Sequence, residues 1–251
     1  MAAAFGKAAG MRDLEKERYL AGEFEKINIP LDDGQISMFI TFYEMLVEKN
    51  KVMNLTAITG FEDVVKKHFI DSLMISRVFV PDDTVKGLDL GTGAGFPGIP
   101  LKIVYPSCRL TLVDSLNKRI RFLDEVIEKL GLSSVETVHS RAEDLARNEM
   151  YRESYDFCVS RAVAGLPVLS EYSLPFVRKG GHFIAYKSEK TSEEIEGSKK
   201  ALAILGGRIE RVDEFKLPDS DINRSLIIIK KEAVTSKKYP RKAGTPAREP
   251  L

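Results

Sequence analysis

A glycine-rich stretch directly behind a short apolar run is the feature that most constrains the fold. Residues 87–103 read GLDLGTGAGFPGIPLKI. Glycines are required where the backbone takes a left-handed conformation or approaches a ligand too closely for a side chain. A strand, a glycine loop and a helix in this order place backbone amides beneath a nucleotide-like ligand. The stretch therefore predicts a cofactor site.

Strand and helix patterns alternate over most of the chain beyond this point. Residues 12–26, 35–49 and 61–79 show helical spacing of apolar residues and predict a helical lead-in. The later alternation predicts an α/β fold with a mostly parallel sheet covered by helices on both faces. No helix pattern separates the last two strand patterns, so we expect a terminal antiparallel hairpin.

Composition limits the class of protein but not its partners. The chain has 251 residues, 43% hydrophobic and 30% charged, with a formal net charge of +1, which fits a globular protein. Cys108 and Cys158 lack the spacing of a zinc site or a disulfide framework, and no apolar run reaches the length of a membrane span. We expect a cytoplasmic protein. The predicted organisation is a helical lead-in at 1–80, a cofactor-binding core at 81–232 and an extended basic tail at 233–251.

Two acidic residues restrict the ligand. The loop fits both GxGxG, through Gly91, Gly93 and Gly95, and the GxGxxG of dinucleotide enzymes. Asp89 precedes the loop at the strand end, where it would repel a pyrophosphate and attract an amino group, which favours S-adenosylmethionine. Asp114 ends the next strand and suits the ribose hydroxyls of either cofactor.

The segment after the third strand pattern is a candidate adenine site. SRAEDL occupies residues 140–145. Glu143 or Asp144 could accept a hydrogen bond from the adenine amino group, with the Ala142 backbone as a further contact. Both acids equally suit the N-terminus of the short helix that follows, so this alternative stays open.

The residues after the fourth strand pattern narrow the reaction. SRAVAG at 160–165 lacks the proline-rich motif common in amine methylation and a cysteine nucleophile. Cys158 lies within the strand pattern, so we assign it to packing. Arg161 stands at the strand end, where it could hold a guanine. Guanine N7 carries a lone pair and no proton, so its methylation needs no general base.

Cations at equivalent strand ends predict a nucleic-acid surface. Arg141, Lys187 and Arg224 each follow or enter a strand pattern, and the tail adds further basic side chains. Such cations would contact phosphates despite the nearly neutral whole chain. The three histidines are isolated from metal-spaced partners, so no metal site is predicted. The predicted tail contacts with RNA are Lys237, Lys238, Arg241 and Lys242.

Several motifs together resemble the RsmG (GidB) family of bacterial 16S rRNA guanine-N7 methyltransferases. They are NLTAI (54–58), KHFIDSL (67–73), LDLGTGAGFPGIPLKI, LVDSLNKRIRFL (112–123), SRAED, SRAVA and KKYPRKAGTP. The resemblance implies a Rossmann-like class I methyltransferase that uses S-adenosylmethionine on one guanine of the decoding region. It also implies that Arg141, Lys187 and Arg224 face RNA or guanine. The cofactor contacts that it implies are Gly91, Phe96, Ala142, Glu143 and Arg161.

Two other functions remain open from the residues alone. An NAD-dependent dehydrogenase would use the same glycine loop and Asp114. A non-enzymatic RNA-binding protein would retain the fold and use the basic tail. We expect a monomer, because no exposed heptad or long edge strand stands out in the sequence.

Overall fold

The computed structural model describes residues 2–82, 84–188 and 191–251, with side chains from residue 14 onward. Residue 1 of the predicted lead-in, and residues 83 and 189–190 of the predicted core, lie outside the described residues. No described helix has the length and apolarity needed to cross a membrane.

One sheet of seven strands forms the centre of the molecule, in the order β3-β2-β1-β4-β5-β7-β6. Strands β1 to β5 pair in parallel, whereas β7 is antiparallel to both β5 and β6. The predicted parallel sheet and terminal hairpin are confirmed. The strands are β1 Lys86–Leu90, β2 Arg109–Asp114, β3 Val135–His139, β4 Tyr155–Arg161, β5 Val177–Lys187, β6 Gly207–Lys216 and β7 Asn223–Lys231.

The helices lie on both faces of the sheet. Short 3-10 turns at Met74–Arg77 and Leu174–Phe176 connect helices to the segments that follow. The helices are α1 Ala2–Glu25, α2 Asp33–Met53, α3 Phe61–Val64, α4 Asp71–Leu73, α5 Gly98–Val104, α6 Asn117–Leu130, α7 Ala142–Leu145, α8 Leu166–Ser173, α9 Thr191–Leu205 and α10 Thr245–Arg248.

Successive residues of the buried strands enter different cores, because side chains alternate across a sheet. On β4, Phe157 and Val159 pack with α1, α2, α5 and α6, whereas Cys158 packs with α8 and α9 on the opposite face. Cys158 is fully buried, which confirms its packing role, and burial raises the pKa of its thiol above the usual range. The N-terminal helices therefore share one hydrophobic core with the sheet.

The predicted helix at 61–79 is not a regular α-helix. Residues Val65–Ile70 form a π-helical segment between α3 and α4. A π-helical turn adds a residue to the helical repeat and often occurs at functional sites. His68 lies within this segment and Asp71 directly follows it, and both line a cavity together with Arg161 at the carboxyl end of β4.

The prediction of an extended C-terminal tail is wrong. Beyond β7 the chain folds back onto the domain and ends in α10, with Thr235, Tyr239 and Pro246 buried. The basic composition suggested an exposed segment, but many of its backbone groups form hydrogen bonds within the domain. Arg152 alone donates to the carbonyls of Thr235, Ser236 and Tyr239 at 2.8, 3.2 and 3.0 Å.

Candidate functional site

The loop between β1 and α5 needs glycines, because its backbone adopts left-handed conformations. Gly91, Gly93 and Gly95 have φ angles of 72°, 62° and 100°, a region that residues with a Cβ avoid. The amides of Gly91 and Thr92 donate to the Val113 carbonyl at 2.9 and 3.1 Å. These bonds fix the loop against the end of β2.

Asp114 links the loop to β2 through its carboxylate. Oδ2 accepts from the Gly93 amide at 3.0 Å, and Oδ1 accepts from the Leu116 amide at 2.9 Å. Arg119 adds an ion pair at 3.1 Å. Only 3% of Asp114 is exposed, and that surface faces a cavity. The carboxylate is therefore held rigidly where a ligand in this cavity would meet it.

We call this space, of about 390 Å³, the glycine-loop cavity. The ends of three adjacent parallel strands supply most of its wall, as expected for α/β sheets. The remaining wall comes from Val163, from Tyr172 of α8 and from the C-terminal segment. The predicted site residues that line it are Gly91, Asp114, Arg141, Ala142 and Glu143.

The structure distinguishes the two acids of the SRAEDL motif. Glu143 is 5% exposed and lines the glycine-loop cavity, whereas Asp144 is exposed and does not line it. Oε1 of Glu143 accepts from the amide of Gly244, in the C-terminal segment, at 2.9 Å. Sequence reasoning missed Gly244 as a neighbour of this acid, since 101 residues separate them.

Asp89 lies beneath the loop and does not line the glycine-loop cavity. It is fully buried, and Oδ2 accepts from the Gly98 amide at 2.8 Å. A Cβ on Gly98 would collide with this carboxylate, so only glycine permits the approach. Asp89 Oδ1 and the Thr92 hydroxyl make no hydrogen bond of standard geometry among the described residues, although the hydroxyl is near enough to the carboxyl to lower its pKa. Burial raises the pKa of Asp89 to about 7.

A second cavity, of about 420 Å³, lies on the other side of the segment that follows β4. We call it the Arg161 cavity. Ala162 lines this cavity and its neighbour Val163 lines the glycine-loop cavity, so the two spaces flank one short segment. Ala162 has a φ of 58°, which turns the chain between them. A side chain on Gly91 would collide with Val163.

Asp71 organises the cations of the Arg161 cavity. Its Oδ2 accepts from Arg161 at 2.9 Å and its Oδ1 accepts from Arg224 at 2.9 Å. The side chains of Asp71, Arg161 and Arg224 are 5%, 15% and 21% exposed. One largely buried carboxylate therefore holds two guanidinium groups that come from different strands.

The guanidinium of Arg161 packs against aromatic rings. Its guanidinium carbon lies 5.1 Å from the centroid of the Phe96 ring, and the His68 ring stacks on Phe96 at 4.6 Å. Phe96 is 6% exposed and packs into the core against Phe42. Burial, together with the charge of Arg161, lowers the pKa of His68 to about 4. His68 is therefore a neutral ring at neutral pH.

Lys187 and Lys67 add two further cations to the lining of the Arg161 cavity. Lys187 is the more strongly held by the surrounding elements. Its ammonium donates to the Ala164 carbonyl at 2.8 Å and pairs with Glu194 at 2.6 Å. Glu194 also accepts from the Leu166 amide at 2.7 Å. These bonds join β5, α9 and the segment after β4, which fixes the shape of the cavity.

The four strand-end cations do not form one group. Arg161, Lys187 and Arg224 line the Arg161 cavity, whereas Arg141 lines the glycine-loop cavity. Among the tail cations, Lys237, Lys238 and Lys242 are exposed and Arg241 is paired internally.

Sequence reasoning assigned no site role to His68, Asp71 or Glu194, although all three line the Arg161 cavity. The KHFIDSL motif contains the first two. The resemblance of this motif to the family was the one signal that could have drawn attention to them. The spacing of its residues gave no indication of where the side chains would point.

Comparisons with known proteins agree with this geometry. A family model described as GidB, rRNA small subunit methyltransferase G, matches residues 35–226. The chain is similar to proteins named ribosomal RNA small subunit methyltransferase G. It is 52% identical to that of Acetivibrio thermocellus, covering 96% of this chain and 98% of the relative, and 48% identical to that of Staphylococcus aureus, covering 93% and 97%.

A solved structure shows the same fold. The chain resembles an S-adenosylmethionine-dependent methyltransferase from Aquifex aeolicus, with a TM-score of 0.50 at 18% identity, over 66% of this chain and 92% of that one. The predicted class I methyltransferase fold is thus confirmed. The relatives support neither the dehydrogenase nor the non-enzymatic RNA-binding protein. The chain belongs to the rRNA small subunit methyltransferase G family.

Proposed function

We propose that the protein transfers a methyl group from S-adenosylmethionine to N7 of one guanine in the decoding region of 16S rRNA. The observation that carries this proposal is the pair of cavities that flank residues 161–163. The glycine-loop cavity takes the adenosine end of the cofactor, and the Arg161 cavity takes the guanine. The family relationship supports a ribosomal RNA substrate.

The lining of the glycine-loop cavity fits an adenosine group. Asp114 would accept from the ribose hydroxyls, since an acid at the end of the second strand serves this role in related folds. Ala142 and Glu143 lie at the next strand end, where they would meet the adenine. The cofactor-binding residues in this proposal are Asp89, Gly91, Gly93, Gly95, Asp114, Ala142 and Glu143. Arg161 and Phe96, which the sequence also assigned to the cofactor, act on the guanine in this proposal, because Arg161 lines the other cavity and Phe96 packs against it.

The buried acceptors beneath the loop fit the amino acid end of the cofactor. Asp89 Oδ1 and the Thr92 hydroxyl make no hydrogen bond of standard geometry among the described residues, and a buried unpaired oxygen is costly. An ammonium group would satisfy them and favour the charged form of Asp89. A pyrophosphate would bring a second negative charge to the same place, so the residues fit this cofactor better than a dinucleotide.

The Arg161 cavity supplies orientation instead of proton transfer. When bound, S-adenosylmethionine supplies a methyl group on a positively charged sulfur. Arg161 and Lys187 would position the guanine through its O6 edge, as basic side chains commonly do. The neutral ring of His68 offers neither a strong base nor a positive charge. Positioning and alignment would therefore provide most of the catalysis.

The charge balance of the Arg161 cavity suits a cationic product. Methylation at N7 leaves a positive charge on the guanine. Asp71 and Glu194 offset part of the positive charge of Arg161, Arg224 and Lys187. Lys67, a fourth cation of the lining, pairs with Asp63 at 2.8 Å. Without these carboxylates the cavity would attract RNA phosphates but repel the methylated base.

The phosphates around the target guanine would contact Arg141, Arg224 and the exposed lysines of the C-terminal segment. Lys187 would contact the RNA through the guanine itself. We further propose that the protein acts as a cytoplasmic monomer on 16S rRNA or the small subunit. Light scattering of the purified protein tests the monomer, and a stable dimer mass would contradict it.

Incubation with labelled S-adenosylmethionine and 16S rRNA, bare or within small subunits, tests the reaction. Nuclease digestion and mass spectrometry should reveal 7-methylguanosine. A methyl group on another atom, or no product with either form of the substrate, would overturn the proposal.

A further inference from the structure

The C-terminal segment, residues 233–251, is bonded to the domain along much of its length. Arg152 donates to three of its carbonyls, and Arg147 donates to the Pro240 carbonyl at 3.0 Å. Lys231 is fully buried and donates to the hydroxyl of Thr235. The backbone amide of Thr235 donates to Glu153 at 2.7 Å. A segment that served only as a flexible cationic arm would not need these bonds.

Arg241 forms the strongest of these attachments. Its guanidinium binds Glu171 in a forked arrangement, with Nη2 to Oε2 at 2.7 Å and Nε to Oε1 at 3.0 Å. The Arg241 amide also donates to Oε1 at 2.7 Å. Glu171 has no exposed side-chain surface, so this carboxylate depends on Arg241 for its counter-charge. The pair fixes the segment to helix α8.

Beyond Arg241 the segment reaches the glycine-loop cavity. The Gly244 amide binds Glu143, and Gly244 and Ala247 form part of the cavity wall. Tyr172, the neighbour of Glu171 on α8, lines the same cavity. The Arg241 ion pair therefore connects two parts of this wall, which lie on α8 and on the C-terminal segment.

We propose that residues 241–247 complete the adenosine end of the cofactor site and that Arg241 is a positioning residue for cofactor binding. Gly244 would orient Glu143 toward the adenine, and Ala247 would limit the width of the cavity. The inference rests on the proposed place of the cofactor in this cavity. It gives Arg241 a role that differs from the RNA contact expected from its sequence.

The test compares two cations of the same segment. Arg241→Ala should weaken binding of S-adenosylhomocysteine and of 5′-methylthioadenosine, measured by calorimetry, about tenfold or more. Lys237→Ala removes an exposed charge of the same segment, outside residues 241–247, and should leave both affinities within about twofold. The inference would be overturned if the two variants bound both ligands about equally well and lost affinity for 16S rRNA to the same extent. Arg241 would then have the RNA role that its sequence suggested.

Arg241→Ala leaves the buried carboxylate of Glu171 without its ion-pair partner, which lowers stability. A second variant leaves this ion pair intact. Ala247→Trp adds bulk at an exposed position of the cavity wall and should weaken both ligands about tenfold while the melting temperature stays unchanged. Normal affinities in both Arg241→Ala and Ala247→Trp would refute the proposed wall. These binding measurements contain no RNA. They therefore test the cofactor site separately from the proposed methylation of rRNA.

Discussion

The two cavities satisfy their buried acids in different ways. In the glycine-loop cavity, Asp114 and Glu143 accept hydrogen bonds mainly from backbone amides, and a single arginine, Arg119, also pairs with Asp114 at 3.1 Å. In the Arg161 cavity, Asp71 is held by two arginine side chains. Amide donors fix a carboxylate and leave its negative charge available to a ligand. Arginine partners neutralise the carboxylate and leave cationic surface available, which suits a nucleic acid.

Arg161→Ala should produce the largest effect and sharpen the division between the cavities. We expect kcat/KM for rRNA methylation to fall about 100-fold, or roughly 3 kcal/mol, because guanine loses a fixed guanidinium. Asp71 keeps Arg224 as a partner, so the fold should remain. Methylation kinetics are measured beside calorimetry of S-adenosylhomocysteine.

The matched control is Arg208→Ala, which removes a cation from an exposed surface pair with Glu232. If Arg161→Ala weakened S-adenosylhomocysteine as strongly as it lowered kcat/KM, Arg161 would act chiefly on the cofactor. The proposed division between the cavities would then be wrong for this residue.

Asp71→Asn tests whether the arginines need their shared carboxylate. The amide keeps the shape of the side chain but removes its charge, so both guanidinium groups should lose their fixed positions. We expect kcat/KM to fall by a factor of about 30, or roughly 2 kcal/mol, with unchanged affinity for S-adenosylhomocysteine. Unchanged kinetics would show that the other contacts of Arg161, with Phe96, His68 and the Lys67 carbonyl, are enough to position it.

Asp114→Asn is the corresponding change in the glycine-loop cavity. Loss of one charged acceptor for the ribose should weaken S-adenosylhomocysteine about tenfold, or roughly 1.4 kcal/mol. The KM for S-adenosylmethionine should rise while the KM for rRNA stays constant. A rise in the rRNA KM instead would contradict the assignment of this cavity to the cofactor.

His68→Phe should have the smallest effect on methylation, about threefold or less, because a neutral ring still stacks on Phe96. Its effect on stability depends on pH. The folded protein keeps His68 neutral down to a pKa of about 4, whereas the unfolded chain binds the proton from its ordinary pKa of 6.5 downward. The unfolded state therefore binds more protons between these values, and stability falls as pH falls through this window.

Urea unfolding at pH 7 and pH 5 measures this dependence. The free energy of unfolding of the wild-type protein should fall more between these conditions than that of His68→Phe. Parallel losses in the two proteins would mean that other groups account for the acid sensitivity.

The two cavities also differ in how far the sequence could predict them. Gly91, Asp114 and Glu143 stand at fixed places in a strand, loop and helix repeat, so their shared cavity could be predicted from local pattern. The antiparallel pairing of the last two strands also followed from local pattern, because no helix separates them. Asp71 could not be placed in this way, because its partners Arg161 and Arg224 are 90 and 153 residues distant.

Composition misled the prediction for the C-terminal segment. Its basic residues suggested exposure, yet Arg241 pairs with a buried glutamate on α8. That acid lies 70 residues earlier in a helix whose pattern indicated only packing. The basic character of a segment therefore did not reveal whether its charges face solvent or a buried partner.

A crystal structure with bound S-adenosylhomocysteine tests the central claim most directly. The account predicts adenine beside Glu143, ribose hydroxyls on Asp114, the amino group near Asp89 and Thr92, and the sulfur directed toward the Arg161 cavity. An adenosine group bound within the Arg161 cavity, or an amino group far from Asp89, would contradict it.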